Sequence, residues 1–488
     1  MEDKELCIER TDRQANRTDA LLALIRDGMP MTLAQRIRLT VLLSVPAVIA
    51  QLSSIVMQYI DAAMVGHLGA EASASIGLIS TTTWLFGGVC SAAAMGFSVQ
   101  VAHRIGGGDM AGARRVLKQS LAATLAFSLF LAAVGCAVSG PLPALLGGDL
   151  AIRSDASLYF FIFSMFLPAI QMSFLAGAML RCSGNMRVPS VMGVAMCVLD
   201  VIFNFFLIFP TRTIELAGMS LNLPGAGLGV GGAALGTAVA EAISAAVLLW
   251  YLWNRSEQLG LRKERARFLP EVSTLRKAFR IGVPMGIEHI VICGAQIMTT
   301  VIVAPLGIFA IAANSFAITA ESLCYMPGYG IADAATTLSG QCIGAARRRL
   351  ARSFGRITVG MGMAVMGVMG VLMYVFAPQI IGLMTTVGEI KELGVMALRI
   401  EAFAEPMFAA SIVAYGVFVG AADTMVPCLM NVFSIWVVRL SLAALLAPTM
   451  GLKGVWIAMC IELCFRGFIF LVRLRGRRWM KGGSAQNL

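Results

Sequence analysis

Charge is scarce in this chain of 488 residues: Asp, Glu, Lys and Arg make up 13% of it, about half the share in ordinary globular proteins. So few charges cannot cover the surface of a soluble fold of that size. A disordered chain would need more charge and far fewer apolar residues than the 58% found. Histidine is equally scarce, and His67, His103 and His289 do not cluster, so they suggest no metal site. The 11 cysteines are odd in number, lie in apolar segments and include no Cys-x-x-Cys pair, so neither a disulfide framework nor a zinc site is implied. No P-loop lysine motif, His-Glu-x-x-His or Gly-x-Ser-x-Gly occurs, which leaves ATP-driven pumping and the commonest hydrolase sites without residues. The run Gly227-Leu-Gly-Val-Gly-Gly232 fits a dinucleotide fingerprint by letter, yet it opens an apolar helix and follows no soluble strand. An enzyme is therefore not expected, nor an organic cofactor, a resident metal or a nucleic-acid partner. The first 38 residues lack an apolar core and do not make a signal peptide.

What fills the sequence is apolar runs of membrane-spanning length, rich in the small residues that let helices approach closely in lipid. A bilayer core of about 30 Å takes about 20 residues of helix. Such runs fall at Val41–Gly66, Ser75–Ala102, Leu117–Gly140, Leu158–Leu180, Val188–Pro210 and Val230–Trp253, and again at Ile281–Ala304, Ile311–Gly340, Ile357–Leu383, Leu398–Gly420, Val426–Pro448 and Leu452–Val472. The expected architecture is an all-α polytopic membrane protein with twelve transmembrane helices. Of the 38 Lys and Arg, 31 fall on the termini and the loops of one side, five on the other side, and Arg439 and Arg466 inside spans. Positive charge marks the cytoplasmic side, so both termini and the basic linker after the sixth span are expected in the cytoplasm of a cell whose inner membrane the chain crosses.

A constant offset of 238 residues relates the two halves. Val45-Pro46 returns as Val283-Pro284, Leu68-Gly69 as Leu306-Gly307, Ile105-Gly106 as Ile343-Gly344, Pro168 as Pro406 and Val188-Pro189 as Val426-Pro427. Six spans per repeat give both halves the same orientation, so two parallel six-helix lobes should enclose a cavity and open alternately. The expected division is residues 1–40 as a cytoplasmic extension with an amphipathic stretch near Leu21 to Ile25, 41–253 as the first lobe, 254–280 as the linker, 281–472 as the second lobe and 473–488 as a cytoplasmic tail.

Several stretches carry a resemblance. Asp61-Ala-Ala-Met-Val-Gly-His-Leu-Gly, Tyr325-Met-Pro-Gly-Tyr-Gly-Ile with Leu338-Ser-Gly-Gln-Cys-Ile-Gly-Ala, Gly420-Ala-Ala-Asp-Thr-Met-Val-Pro, Trp436-Val-Val-Arg439 and Gly451-Leu-Lys-Gly-Val-Trp are together similar to motifs of the multidrug and toxic compound extrusion (MATE) transporters. The resemblance runs over nearly all of Leu39 to Trp479. It implies an antiporter, taken here as a monomer, that moves amphipathic, often cationic small molecules out across the lipid bilayer on a Na⁺ or H⁺ gradient. The alternative within the same broad superfamily is a lipid-linked saccharide flippase, which usually has a strongly basic central cavity. Few Lys or Arg fall mid-span here, which favours cationic cargo.

Carboxylates inside a bilayer are costly enough to need a reason. Asp200 and Asn204 are four apart and share a helical face, where their oxygens suit a cation or a shuttled proton. Thr237 and Glu241 repeat that spacing on the sixth span. The resemblance adds Asp61, an aspartate proposed as an ion site in that family, and places Thr237 where some members carry a polar site residue. Asp61, Asp200, Asn204 and Thr237 are thus the expected ion- or proton-coupling residues, with transient Na⁺ at the first three as one option. Ile292 and Phe408 stand where the NorM-like branch carries acids, Glu405 lying one turn from the second of these slots, which points to coupling in the first lobe, as in DinF-like members. Glu241, Glu288, Glu321 and Asp333 are further candidates to line the cavity. Glu462 and Arg466, four apart, are expected to pair, and Arg439 has no role that the sequence supplies.

Overall fold

Residues 18–216, 219–263 and 268–481 are described by the structure, a computed structural model; the start of the N-terminal extension and the end of the tail lie outside the described residues. A helix that is apolar on every face has only lipid or protein as suitable surroundings. Among the described residues eleven helices are long and apolar enough to cross a membrane, and one bent pair, taken as one span, makes twelve. The first lobe comprises a short helix α1 (18–26), α2 (Leu33–Gly66), α3 (Ala70–Gly106), α4 (Met110–Ser139), the single turn α5 (Leu142–Leu145), α6 (Leu150–Cys182), α7 (Arg187–Ile208) and α8 (Gly229–Asn254). The second holds α9 (Val272–Val303), α10 (Ile308–Gly344), α11 (Arg348–Met384), α12 (Gly388–Glu401), α13 (Glu405–Gly420), α14 (Met425–Phe433), α15 (Leu440–Met450) and α16 (Leu452–Arg475).

Two boundaries move from their expected places, each for a local reason. Thr32 and Gln35 form a reciprocal capping box, the Gln35 amide N–H on the Thr32 hydroxyl at 3.3 Å and the Thr32 N–H on the Gln35 side chain at 2.9 Å. That box starts the first long helix at Leu33, so residues 33–40 are helix and not extension. Likewise α9 begins at Val272, taking the end of the presumed linker, whose Leu259 and Leu261 are buried in the first-lobe core. The stretch near Leu21 to Ile25 is α1. Its Leu22 and Ile25 are buried among Leu338, Phe354 and Trp479 of the second lobe, and Arg347 donates to the Leu24 carbonyl at 2.8 Å.

Three features were not expected. A two-stranded antiparallel hairpin, β1 (Pro210–Leu216) and β2 (Met219–Ala226), joins α7 to α8. The tenth span is broken by 60° between α12 and α13. Its repeat counterpart α6 runs unbroken through Pro168. Pro406, at the start of α13, cannot donate to the Ala402 carbonyl, and glutamates flank the break where α6 has Phe163 and Leu167. Finally, residues Ser434–Arg439, between α14 and α15, form a π-helical turn.

The lobes meet crosswise, α2 against α10 and α3 against α9 and α10. Toward the face bearing α1, the linker and the tail, they are clasped. The Gln341 side chain donates to the Cys182 carbonyl at 2.9 Å, His103 Nε2 lies 2.7 Å from the Gly420 carbonyl, and Gln100 donates to the Thr274 carbonyl at 3.2 Å. Gly106 and Gly344 let the α3 and α10 backbones touch there, since a Cβ at either would overlap a carbonyl oxygen of Gln341 or His103. Toward the opposite face the inter-lobe hydrogen bond among the described residues is Tyr59 to the Thr319 carbonyl, 2.9 Å. The inter-lobe hydrogen bonds of the described residues thus concentrate at the basic face.

Candidate functional site

One amide ties three of the expected coupling residues together. Asp200 and Asn204, a turn apart on α7, are both fully buried. Asn204 Nδ2 donates to Asp200 Oδ2 at 3.1 Å and across to Asp61 Oδ1 on α2 at 2.9 Å. Asp61 and Asp200 lie within hydrogen-bonding reach of each other, and Thr237 on α8 lies within reach of Asp200; the Thr237 hydroxyl also donates to the Ala233 carbonyl at 3.2 Å. Gly236, next to Thr237, is what makes room, because a Cβ there would run into Asn204 Oδ1. Asp200 Oδ1 and Asn204 Oδ1 are buried with no hydrogen-bond partner. Unpaired buried acceptors are expensive, and a proton or a hard cation is what such oxygens accept. The group fits either ion by its donor chemistry.

Between the lobes lies a cavity of about 750 Å³. Glu241, Glu288, Glu321 and Asp333 all line it, whereas Asp61, Asp200, Asn204 and Thr237 sit behind its wall, inside the first lobe. Trp84, Tyr325, Tyr329, Phe408 and Tyr415 give it flat aromatic faces, surfaces suited to apolar bodies and to cations alike. Glu288 accepts hydrogen bonds from Tyr415 and Asn431, each at 2.5 Å. Glu241 is placed between the two regions: it faces the cavity, lies beside Ser173 and feels the charge of Asp200.

The centre holds more arginine than the sequence suggested. Arg181, counted there as a loop residue, is in the last turn of α6, where it lines the cavity and faces Asp333 of the other lobe at 3.8 Å. Arg439 and Arg466 line the cavity too. Their partner is Glu462, fully buried, with Arg439 Nη2 at 2.6 Å, Arg466 Nε at 3.1 Å and the Ser434 hydroxyl at 2.6 Å. The Glu462–Arg466 pair thus forms as spaced, and Arg439 gains the role the sequence lacked. The π turn explains the geometry, since its i→i+5 pattern stacks residues five apart and brings Ser434 and Arg439 onto one carboxylate. Glu462→Gln strands the buried guanidinium of Arg466 and the half-buried one of Arg439, so a loss of about 3–5 kcal/mol is expected, read as a large drop in thermal midpoint in detergent. A midpoint within a degree of the unaltered protein would contradict this role.

Sequence reasoning passed over Glu401 and placed Glu405 only beside a family slot. Glu401 and Glu405 flank the break in the tenth span, fully buried, with all four carboxylate oxygens lacking a hydrogen-bond partner. Glu401 lies within electrostatic reach of Glu321 and Arg439. The available signal was two glutamates four apart inside an apolar run, directly before a proline.

Comparison with known proteins bears on both lobes. The MatE family model matches residues 46–206 and 284–445. A Thermotoga maritima protein named a probable multidrug resistance protein NorM is 25% identical over 446 residues, covering 90% of this chain and 92% of its own. One of the same name from Deinococcus radiodurans is 27% identical over 450 residues, covering 89% and 94%. Among solved structures, a MOP superfamily transporter from Pyrococcus furiosus, described for the reverse polarity of its binding pocket, aligns with a TM-score of 0.84 at 19% identity over 95% of this chain and 98% of its own. The Vibrio cholerae MATE transporter VcmN in its bent form aligns at 0.80 and 17% over 96% and 99%.

Proposed function

The chain belongs to the MatE family of multi-pass membrane transporters, and on that premise we propose that it is a monomeric secondary antiporter exporting amphipathic, cationic drugs or metabolites. The ion it exchanges, H⁺ or Na⁺, binds at Asp61, Asp200 and Asn204. The observation that carries this reading is the Asn204 amide holding two carboxylates at 2.9 and 3.1 Å while buried oxygens of the same group stay unpaired. One proton shared by the carboxylates removes the repulsion of two buried charges. The unpaired Asp200 and Asn204 oxygens support Na⁺ as the second reading.

Glu241 connects this group to cargo, since it faces both, and a cation arriving in the cavity competes electrostatically with an ion held behind it. With the basic face cytoplasmic, the clasp of inter-lobe hydrogen bonds is the inner gate, and the less tightly bonded face is the one that opens outward. Ion loading from outside would then release cargo and favour bending at Pro46 of α2, one route back to the inward-open state. The flippase alternative draws support from the three arginines of the cavity. Four carboxylates line the same cavity, however, and each arginine faces one acid or shares one, so the wall is not basic.

Proteoliposomes test the coupling directly. Uptake of a fluorescent organic cation is expected to follow an imposed pH gradient if the proton is exchanged, and a Na⁺ gradient if the metal ion is. Equal uptake with neither gradient, at matched protein content, would overturn antiport.

A further inference from the structure

Away from the central cavity, a second hollow of about 550 Å³ opens at the basic face. It is lined by Arg36 of α2, by Arg347, Arg348 and Arg349 where α10 turns into α11, and by Pro30 and Met31 before α2. Among the described residues no Asp or Glu lines it, and none of the four arginines has a carboxylate partner. Arg36 instead donates to the Met31 carbonyl and to Ser353 Oγ at 2.8 Å, and Arg347 to the Leu24 carbonyl, neutral contacts that orient the side chains without neutralising them. The first turn of α11 adds backbone N–H groups with no side-chain cap. On the same helix as Arg36, Leu33, Ile37 and Val41, spaced four apart, form an exposed apolar stripe, 61%, 45% and 40% accessible.

We propose that this hollow binds the headgroup of a phospholipid carrying two phosphates, with its acyl chains lying along Leu33, Ile37 and Val41. Four guanidinium forks can each meet phosphate oxygens in pairs, and a basic pocket between helices at the cytoplasmic side has the chemistry for such headgroups. The apolar stripe is what points to a lipid and not to free phosphate. Arg36 belongs to the first lobe and Arg347 to Arg349 to the second, so the bound dianion bridges the lobes at the closed face and favours this conformation.

The test is native mass spectrometry of the purified full chain titrated with cardiolipin, phosphatidylglycerol or phosphatidylcholine. One cardiolipin is expected to bind about tenfold or more tightly than phosphatidylglycerol, with phosphatidylcholine weaker still. R348Q/R349Q is expected to lose about tenfold in cardiolipin affinity, while R276Q/R280Q, which removes two exposed charges at the same face outside the hollow, stays within about twofold. R348K/R349K keeps the charge and insertion signal but loses the forks, and a drop of about threefold or more is expected. Equal affinity for the three lipids, an equal loss in both glutamine pairs, or displacement of cardiolipin by millimolar inorganic phosphate would each overturn the proposal.

Discussion

Asp200→Asn is expected to abolish ion-driven efflux while leaving a folded, membrane-inserted protein. The replacement keeps the volume and an acceptor oxygen for Asn204, which now meets Asp200 Oδ2 at 3.1 Å, so the helix contact between α7 and α2 survives. What disappears is the second carboxylate of the proposed coupling site, and with it the exchange of a proton or Na⁺ for cargo proposed there. A drop on the order of a hundredfold in gradient-driven uptake is expected, near the upper end of measured coupling between sites. Thermal midpoints should move little. Asp61→Asn should behave alike, whereas Thr237→Val, which removes only a hydroxyl at the edge of the group, should cost less. Wild-type uptake by Asp200→Asn would remove the first-lobe site from the mechanism.

Gly344→Val is expected to have an effect of similar size by a different route. Gly344 faces the His103 carbonyl so closely that any Cβ overlaps it, and the rigid α3 and α10 backbones cannot yield as a flexible side chain would. Overpacking at a tight contact costs about 1–3 kcal/mol, which falls on the closed clasp alone and so moves the population toward opening at the basic face. The readout is labelling of a cysteine placed at Ser54, which lines the cavity, in a cysteine-free background. The parent should react with an impermeant maleimide from the face opposite α1, and the valine variant from the α1 face, with transport lowered in proportion. Unchanged sidedness would mean that these glycines serve packing alone.

Much of this was legible in the sequence because a bilayer imposes simple rules. Spans follow from apolar length, and the lobes from one offset that returns three prolines. Asp200 and Asn204 could be placed on one face from their spacing, and Glu462 paired with Arg466 in the same way, because helical periodicity fixes neighbours four apart. Contacts between helices carry no such periodicity. That Asp61 of α2 meets Asn204 of α7 could be suspected only from resemblance, and Arg181 looked like a loop charge because nothing local showed Asp333 across the interface. Breaks in regular helix were equally hidden. Pro168 and Pro406 are repeat mates, yet only the second interrupts its span, where buried glutamates replace Phe163 and Leu167. The π turn has no composition signal at all, and it decides where Arg439 points.

The proposed site of ion exchange is formed by Asp61, Asp200 and Asn204. The most direct test separates cargo movement from ion coupling in the same vesicles: cargo/cargo counterflow and gradient-driven uptake are measured for Asp61→Asn, Asp200→Asn, and the pair Glu401→Gln with Glu405→Gln. The expected result is that both aspartate variants keep counterflow and lose gradient-driven uptake, while the glutamine pair retains both. If the aspartate variants keep gradient-driven uptake and the glutamine pair loses it, the ion is exchanged in the second lobe and the first-lobe site is not the coupling site.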